Sequence, residues 1–119
     1  MYDHIGLKVR DLDASVRFYT AALAPFGYGL CCRDDAGAGF GPEGQPALWL
    51  YPTHERGPGT HVALRADERG TVDRFFAAAL EFGGRDHGRP GLRADYAPTY
   101  YAAFVLDPDG NNLEAVCMR

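Results

Sequence analysis

Residues 4–10, His-Ile-Gly-Leu-Lys-Val-Arg, alternate as a strand does. Ile5, Leu7 and Val9 share one face; His4, Gly6 and Lys8 share the other. The period then changes. Leu12, Val16, Tyr19 and Leu23 recur at helical spacing, with Asp13 as the expected N-cap and Pro25 and Gly27 as the stop. Three short strand candidates follow, near 28–33, 39–41 and 47–51, separated by glycine-rich turns. A polar stretch, 53–59, reads as a linker. The opening pattern then returns in His61-Val-Ala-Leu-Arg-Ala66. A second helical stripe follows, Val72, Phe75, Phe76, Ala79 and Leu80, predicting a helix over about 71–82 that Gly83-Gly84 closes. The segment 85–99 reads as a long loop. Residues 101–106 and 112–118 read as the two strands of a hairpin, joined by Asp107-Pro-Asp-Gly110, in which proline sets φ and glycine takes the left-handed position.

At a shift of 57 positions, Leu7 meets Leu64, Arg17 meets Arg74, Phe18 meets Phe75, and Ala21-Ala-Leu23 meets Ala78-Ala-Leu80. So many identities in so short an overlay indicate an internal duplication. The expected fold is α+β: one domain of two tandem βαβββ modules, 1–52 and 60–119, with cupped mixed sheets. Each helix must cover the apolar face of its own sheet. His4 and His61 therefore stand on the opposite, concave side. On the last strand Leu113, Ala115 and Cys117 form the apolar face, so Glu114 also turns to the concave side. A carboxylate in a short apolar strand needs a partner, because an unpaired buried charge is too costly. Two imidazoles and one carboxylate can supply three ligands to a divalent metal and leave positions open for substrate.

Composition narrows the partners. A net charge of −4 over 119 residues argues against a nucleic-acid backbone. No apolar run approaches the roughly 20 residues of a membrane span. Cys31, Cys32 and Cys117 are an odd number without a CxxC pair, which suggests small buried thiols in a reducing, cytoplasmic chain. Trp49 and Tyr51 are expected to point into the cup, either as an aromatic wall for a substrate or as plain packing between the modules. Tyr96, Tyr100 and Tyr101 cluster around Pro98, and any one of their hydroxyls is a candidate acid or substrate anchor. Arg85, His87, Arg89 and Arg93 make 85–99 basic, which reads either as a solvated loop or as a surface that attracts an anionic substrate, with Arg93 the substrate-binding candidate. His54 lies in the linker and is expected to be exposed.

His4-Ile-Gly-Leu with Phe18-Tyr, the repeated His61-Val-Ala-Leu, and the ending Asp107-Pro-Asp-Gly-Asn-Asn-Leu-Glu114 resemble the vicinal oxygen chelate superfamily. This group includes glyoxalase I, bleomycin-resistance proteins, fosfomycin-resistance thiol transferases and extradiol dioxygenases. The resemblance covers nearly the whole chain. It implies cupped sheets around one divalent ion per site (Zn, Ni, Fe(II) or Mn(II)) held by His4, His61 and Glu114. The expected activity is an isomerase or lyase, thiol-transferase or dioxygenase reaction on a small substrate chelated through vicinal oxygens. It also implies a homodimer whose sites are shared, His4 coming from one chain and His61 with Glu114 from the other. Glyoxalase I has a carboxylate where this chain has Trp49, which cannot ligate; that departure argues against lactoylglutathione lyase activity. The alternative is a non-catalytic, bleomycin-resistance-like protein that sequesters a small aromatic ligand between chains.

Overall fold

A computed structural model describes the whole chain, Met1–Arg119. The elements are β1 (Ile5–Val9), α1 (Leu12–Leu23) with a 3-10 turn at Ala24–Phe26, β2 (Gly29–Asp34), β3 (Gly37–Gly41), β4 (Leu48–Pro52), β5 (His61–Arg65), α2 (Arg69–Glu81), β6 (Arg85–Leu92), β7 (Tyr101–Leu106) and β8 (Asn112–Cys117). They form two four-stranded sheets, ordered β1-β4-β3-β2 and β5-β8-β7-β6. In each, the first strand runs parallel to the last and the other pairings are antiparallel. The tandem βαβββ architecture is therefore present, and the two helices start at equivalent places, Leu12 and Arg69. No helix is long and apolar enough to cross a membrane.

The alternation decides what is buried. Leu7 and Val9 on β1, Leu48 and Leu50 on β4, and Leu113, Ala115 and Cys117 on β8 turn to the helices and join one core shared by both modules. The helices meet in its middle, where the Phe26 and Phe75 rings pack edge to face at 5.8 Å. Phe75 is fully buried, and truncating such a ring to alanine costs about 3–5 kcal/mol.

The Asp107–Asn111 turn fastens one module to the other. The Asp107 carboxylate, 1% exposed, accepts from the backbone N–H groups of Asp109 (2.9 Å) and Asn111 (2.8 Å) and from Asn111 Nδ2 (2.8 Å). It also accepts from the hydroxyl of Tyr19, on the helix of the other module, at 2.5 Å. Asp109 in turn takes the backbone N–H of Arg10 at 3.0 Å and its Nε at 3.2 Å, beside the end of β1. Asn111 Oδ1 accepts from Thr60 N at 2.9 Å, fixing the approach to β5.

Four expectations are corrected. The N-cap of α1 is Asp11, whose carboxylate accepts from Ala14 N at 3.0 Å, and Asp13 lies inside the first turn. The 85–99 segment is not all loop: residues 85–92 form β6, an edge strand with two register shifts, where Gly88, Pro90 and Gly91 break the alternation that would have marked it. Leu80 stays 38% exposed rather than joining the stripe of α2. Of the cysteines only Cys117 is buried; Cys31 is half-buried and Cys32 exposed, on the outer strand β2, and all three are free thiols.

Candidate functional site

Three strands of the second sheet set the centre of the site. In the parallel pairing of β5 with β8, His61 stands beside Asn112 and Ala63 beside Glu114. Across the antiparallel pairing, Glu114 stands beside Phe104 of β7. All of these share the concave face. Ala63 carries only a methyl, so the longer His61 side chain can swing over it. His61 Nε2 comes to 3.1 Å from Glu114 Oε2. Glu114 is nearly buried and His61 half exposed (4% and 51% of side-chain surface). The carboxylate read from the sequence as needing a partner thus has two: His61 on one oxygen and the Tyr100 hydroxyl, which donates to Oε1, on the other.

The second nitrogen of His61 matters as much. Nδ1 lies 3.1 Å from the carbonyl oxygen of Asn112, which can only accept. A neutral imidazole therefore places its proton on Nδ1 and aims the Nε2 lone pair at the Glu114 carboxylate. Two electron-pair donors then face one another at 3.1 Å, and a cation belongs between them: a second proton on the ring, or a metal ion. Ligands about 2.0–2.2 Å from one ion can keep that separation. A backbone carbonyl on the outer nitrogen is the support by which proteins set the tautomer of a ligating histidine. The pair fits a divalent metal. Close by, Asn112 Oδ1 is buried without a hydrogen-bond partner, an unused acceptor on the same face.

Tyr100 separates from its two neighbours. Burial first, and then its bond to Glu114 and the charge there, push its hydroxyl up to about 12. It therefore stays protonated at neutral pH and acts as a donor that steadies the carboxylate. Tyr96 is exposed and packs edge-on against Tyr100 at 5.1 Å. Tyr101 is corrected: it pairs with Cys117, faces α2, and donates to Asp73 Oδ1 at 2.6 Å under the Arg69 guanidinium, so it does not line the cup. Arg93 does reach the cup, with its guanidinium carbon 5.5 Å from the Phe104 ring centroid. Phe104, which also faces the His61 ring at 6.4 Å, is a site residue that the sequence left unmarked, as is Asn112.

The first sheet offers a different surface. Trp49 pairs with Gly6 and Gly39, and Tyr51 with Lys8. The two rings stack at 6.4 Å and 11°. They can lie flat because glycines run beneath them: a methyl on Gly6 would stand 2.8 Å from the Tyr51 ring, and one on Gly39 3.0 Å from Trp49. Lys8 Nζ sits 5.4 Å from the Tyr51 ring centroid. His4 precedes β1, is half exposed, and bonds Asp3 Oδ1 through Nδ1 at 2.7 Å. It belongs to the first sheet's end of the chain, whereas His61 and Glu114 belong to the second sheet. No three His, Cys, Asp or Glu side chains within the chain come together to hold an ion. One chain thus assembles two of the three expected ligands. His54 does lie in the linker and is exposed.

The chain resembles known proteins over nearly its full length. Residues 2–115 match the family model for the Glyoxalase/Bleomycin resistance protein/Dioxygenase superfamily. A Vibrio cholerae protein named "Probable lactoylglutathione lyase" is 32% identical over 129 aligned positions, spanning 95% of this chain and 87% of that one. Among solved structures, a glyoxalase/bleomycin resistance protein from Albidiferax ferrireducens T118 superposes with a TM-score of 0.84 at 26% identity, covering 98% of both chains. A putative glyoxalase from Bacillus halodurans superposes with a TM-score of 0.73 at 25% identity, covering 98% of this chain and 95% of that one.

Proposed function

Since the chain belongs to the Glyoxalase/Bleomycin resistance protein/Dioxygenase superfamily, we propose that it is a metal-dependent enzyme acting on a small molecule that chelates a divalent ion through two neighbouring oxygens. One observation carries the reading: His61 Nε2 and Glu114 Oε2 face each other at 3.1 Å, each held from behind, by the Asn112 carbonyl and the Tyr100 hydroxyl. Without an ion, only a second proton on the His61 ring would keep two electron-pair donors from facing one another. The third ligand is His4, supplied by a second copy of the chain in a homodimer, which accounts for its distance from the pair within one chain.

When bound, the ion would act as a Lewis acid, polarising the substrate oxygens and stabilising negative charge as it develops. Zn, Ni, Fe(II) and Mn(II) all suit two imidazoles and one carboxylate. The protein's own residues do the rest. Tyr100 keeps its proton and orients the Glu114 carboxylate so that Oε2 faces His61 Nε2, where the two would hold the ion. Asn112 holds His61 in one tautomer. The Trp49–Tyr51 pavement of the partner copy excludes water and takes the apolar part of the substrate. Trp49 offers no ligand where glyoxalase I has a carboxylate, so the reaction named for the V. cholerae relative is not carried across. The same aromatic pavement favours a second reading, capture of a small aromatic ligand between chains without chemistry, which predicts binding that chelators do not weaken.

The test is metal content by mass spectrometry of untagged protein, wild type beside Glu114→Ala. About one divalent ion per chain, lost in the variant, is expected. No metal in the wild type after reconstitution with each of the four ions would overturn the enzyme reading and leave the binding one.

A further inference from the structure

We infer that the substrate of this cup is an organic acid, and that Arg93 receives its carboxylate across the Phe104 ring from the His61–Glu114 pair. This rests on the cup being the substrate site. The register builds one row across the second sheet: Ala63 on β5, Glu114 on β8, Phe104 on β7 and Gly88 on β6. The ends of the row are small. His61 fills the space above Ala63. The guanidinium of Arg93 fills the space that Gly88 leaves empty: a methyl on Gly88 would stand 2.9 Å from Phe104 Cδ2 and 3.3 Å from Arg93 Nη2. Arg93 is held there by donating from Nη2 to the Arg89 carbonyl at 2.5 Å.

The environment of this cation is unlike that of any other arginine in the chain. All the others are exposed, and Arg93 alone is half-buried. Arg10, Arg33, Arg74 and Arg89 each pair with a carboxylate; the remaining arginines have none, and of these only Arg93 is also drawn partly out of water. Taking a guanidinium partly out of water without a counter-ion is costly, and a protein keeps such a group where something anionic completes it. A planar fork of N–H donors matches a carboxylate through two parallel hydrogen bonds. The Phe104 ring is common to this fork and the His61–Glu114 pair, with the His61 ring 6.4 Å and the Arg93 guanidinium 5.5 Å from its centroid. A molecule reaching from one to the other must carry a flat or apolar segment over that ring. The substrate class is therefore a small acid with two neighbouring oxygens at one end and a carboxylate at the other.

Benzoate and its neutral isostere benzamide separate charge from shape. Their binding is to be followed by amide chemical-shift perturbation, in chelator, so that the result does not depend on any metal. Wild type is expected to bind benzoate in the millimolar range, with shifts at Gly88, Arg93 and Phe104, and benzamide at least about tenfold more weakly. Arg93→Gln should abolish the preference, Arg93→Lys should keep part of it, and Arg17→Gln, exposed on α1 of the other module, should leave it whole. Equal binding of the two probes, binding of neither, or a preference that survives Arg93→Gln would overturn the inference. Because the probes are read without metal, a wild type that binds no ion yet prefers benzoate would defeat the metal reading alone.

Discussion

Replacing Tyr19 by phenylalanine removes one oxygen from the joint between the modules and nothing else. The ring is fully buried and packs edge to face on Phe18 at 5.0 Å, so phenylalanine fills the same space. What is lost is the 2.5 Å hydrogen bond to Asp107, leaving that carboxylate with three donors, all from its own turn. A hydrogen bond to a charged group is worth about 1.5–3 kcal/mol, and little water can reach a carboxylate that is 1% exposed to replace it. With an unfolding entropy of about 2.1 cal/mol/K per residue over 119 residues, that loss lowers Tm by about 6–12 °C. Guanidinium titration at pH 7 should show the midpoint falling with an unchanged slope. There is a second signature. Burial first, and the Asp107 charge second, hold the Tyr19 hydroxyl well above the usual tyrosine range. The unfolded chain then binds fewer protons than the folded one above about pH 10, so stability falls as pH rises through that region and is unaffected below it. Tyr19→Phe should lose its own share of that alkaline slope, leaving the part that the raised Tyr100 and Tyr101 hydroxyls contribute. A variant within about 0.5 kcal/mol of wild type at pH 7 would refute the claim that this bond ties the modules together.

Other expectations follow from the cup. Ultraviolet titration should find a tyrosine ionising near pH 12, absent in Tyr100→Phe. In Glu114→Gln it should move only part of the way down, because burial, the larger cause, remains; no movement would deny the Tyr100–Glu114 bond. Gly88→Ala should cost about 1–3 kcal/mol, since its methyl meets the Phe104 ring and the Arg93 guanidinium, and it should weaken benzoate binding as the guanidinium is displaced. Asp107→Ala strands four donors at once and should cost about 3–5 kcal/mol, more than Tyr19→Phe. Denaturant midpoints check both.

The parts of this molecule that alternation controls are legible in the sequence. Leu113, Ala115 and Cys117 mark the helix side of β8, which puts Glu114 in the cup, and the duplicated His-apolar-small-apolar pattern puts His61 there with it. Position along a strand does not reveal register between strands. Tyr100 and Tyr101 could not be told apart until Tyr101 was seen to pair with Cys117, which turns it to the helix and its neighbour to the carboxylate. β6 was hidden because an outer strand that is bulged at two places and carries Gly88, Pro90 and Gly91 has no need of alternating apolar residues. The two aspartates flanking Leu12 both suit a cap, and only the start of the helix chooses Asp11. The Asp-Pro-Asp-Gly turn was legible as a turn; its role as a joint was not, since Tyr19 lies 88 residues away.

The central claim is a metal site completed between two copies of the chain, and complementation tests it most directly. His4→Ala and Glu114→Ala are each expected to bind no divalent ion. Mixed, unfolded together and refolded, half of the dimers would be mixed pairs carrying one intact site, with His4 from one chain and His61 and Glu114 from the other. Metal content should recover to about a quarter of the wild-type value. Variants that each stay empty, and remain empty after mixing although wild type refolded the same way binds its ion, would contradict a shared site.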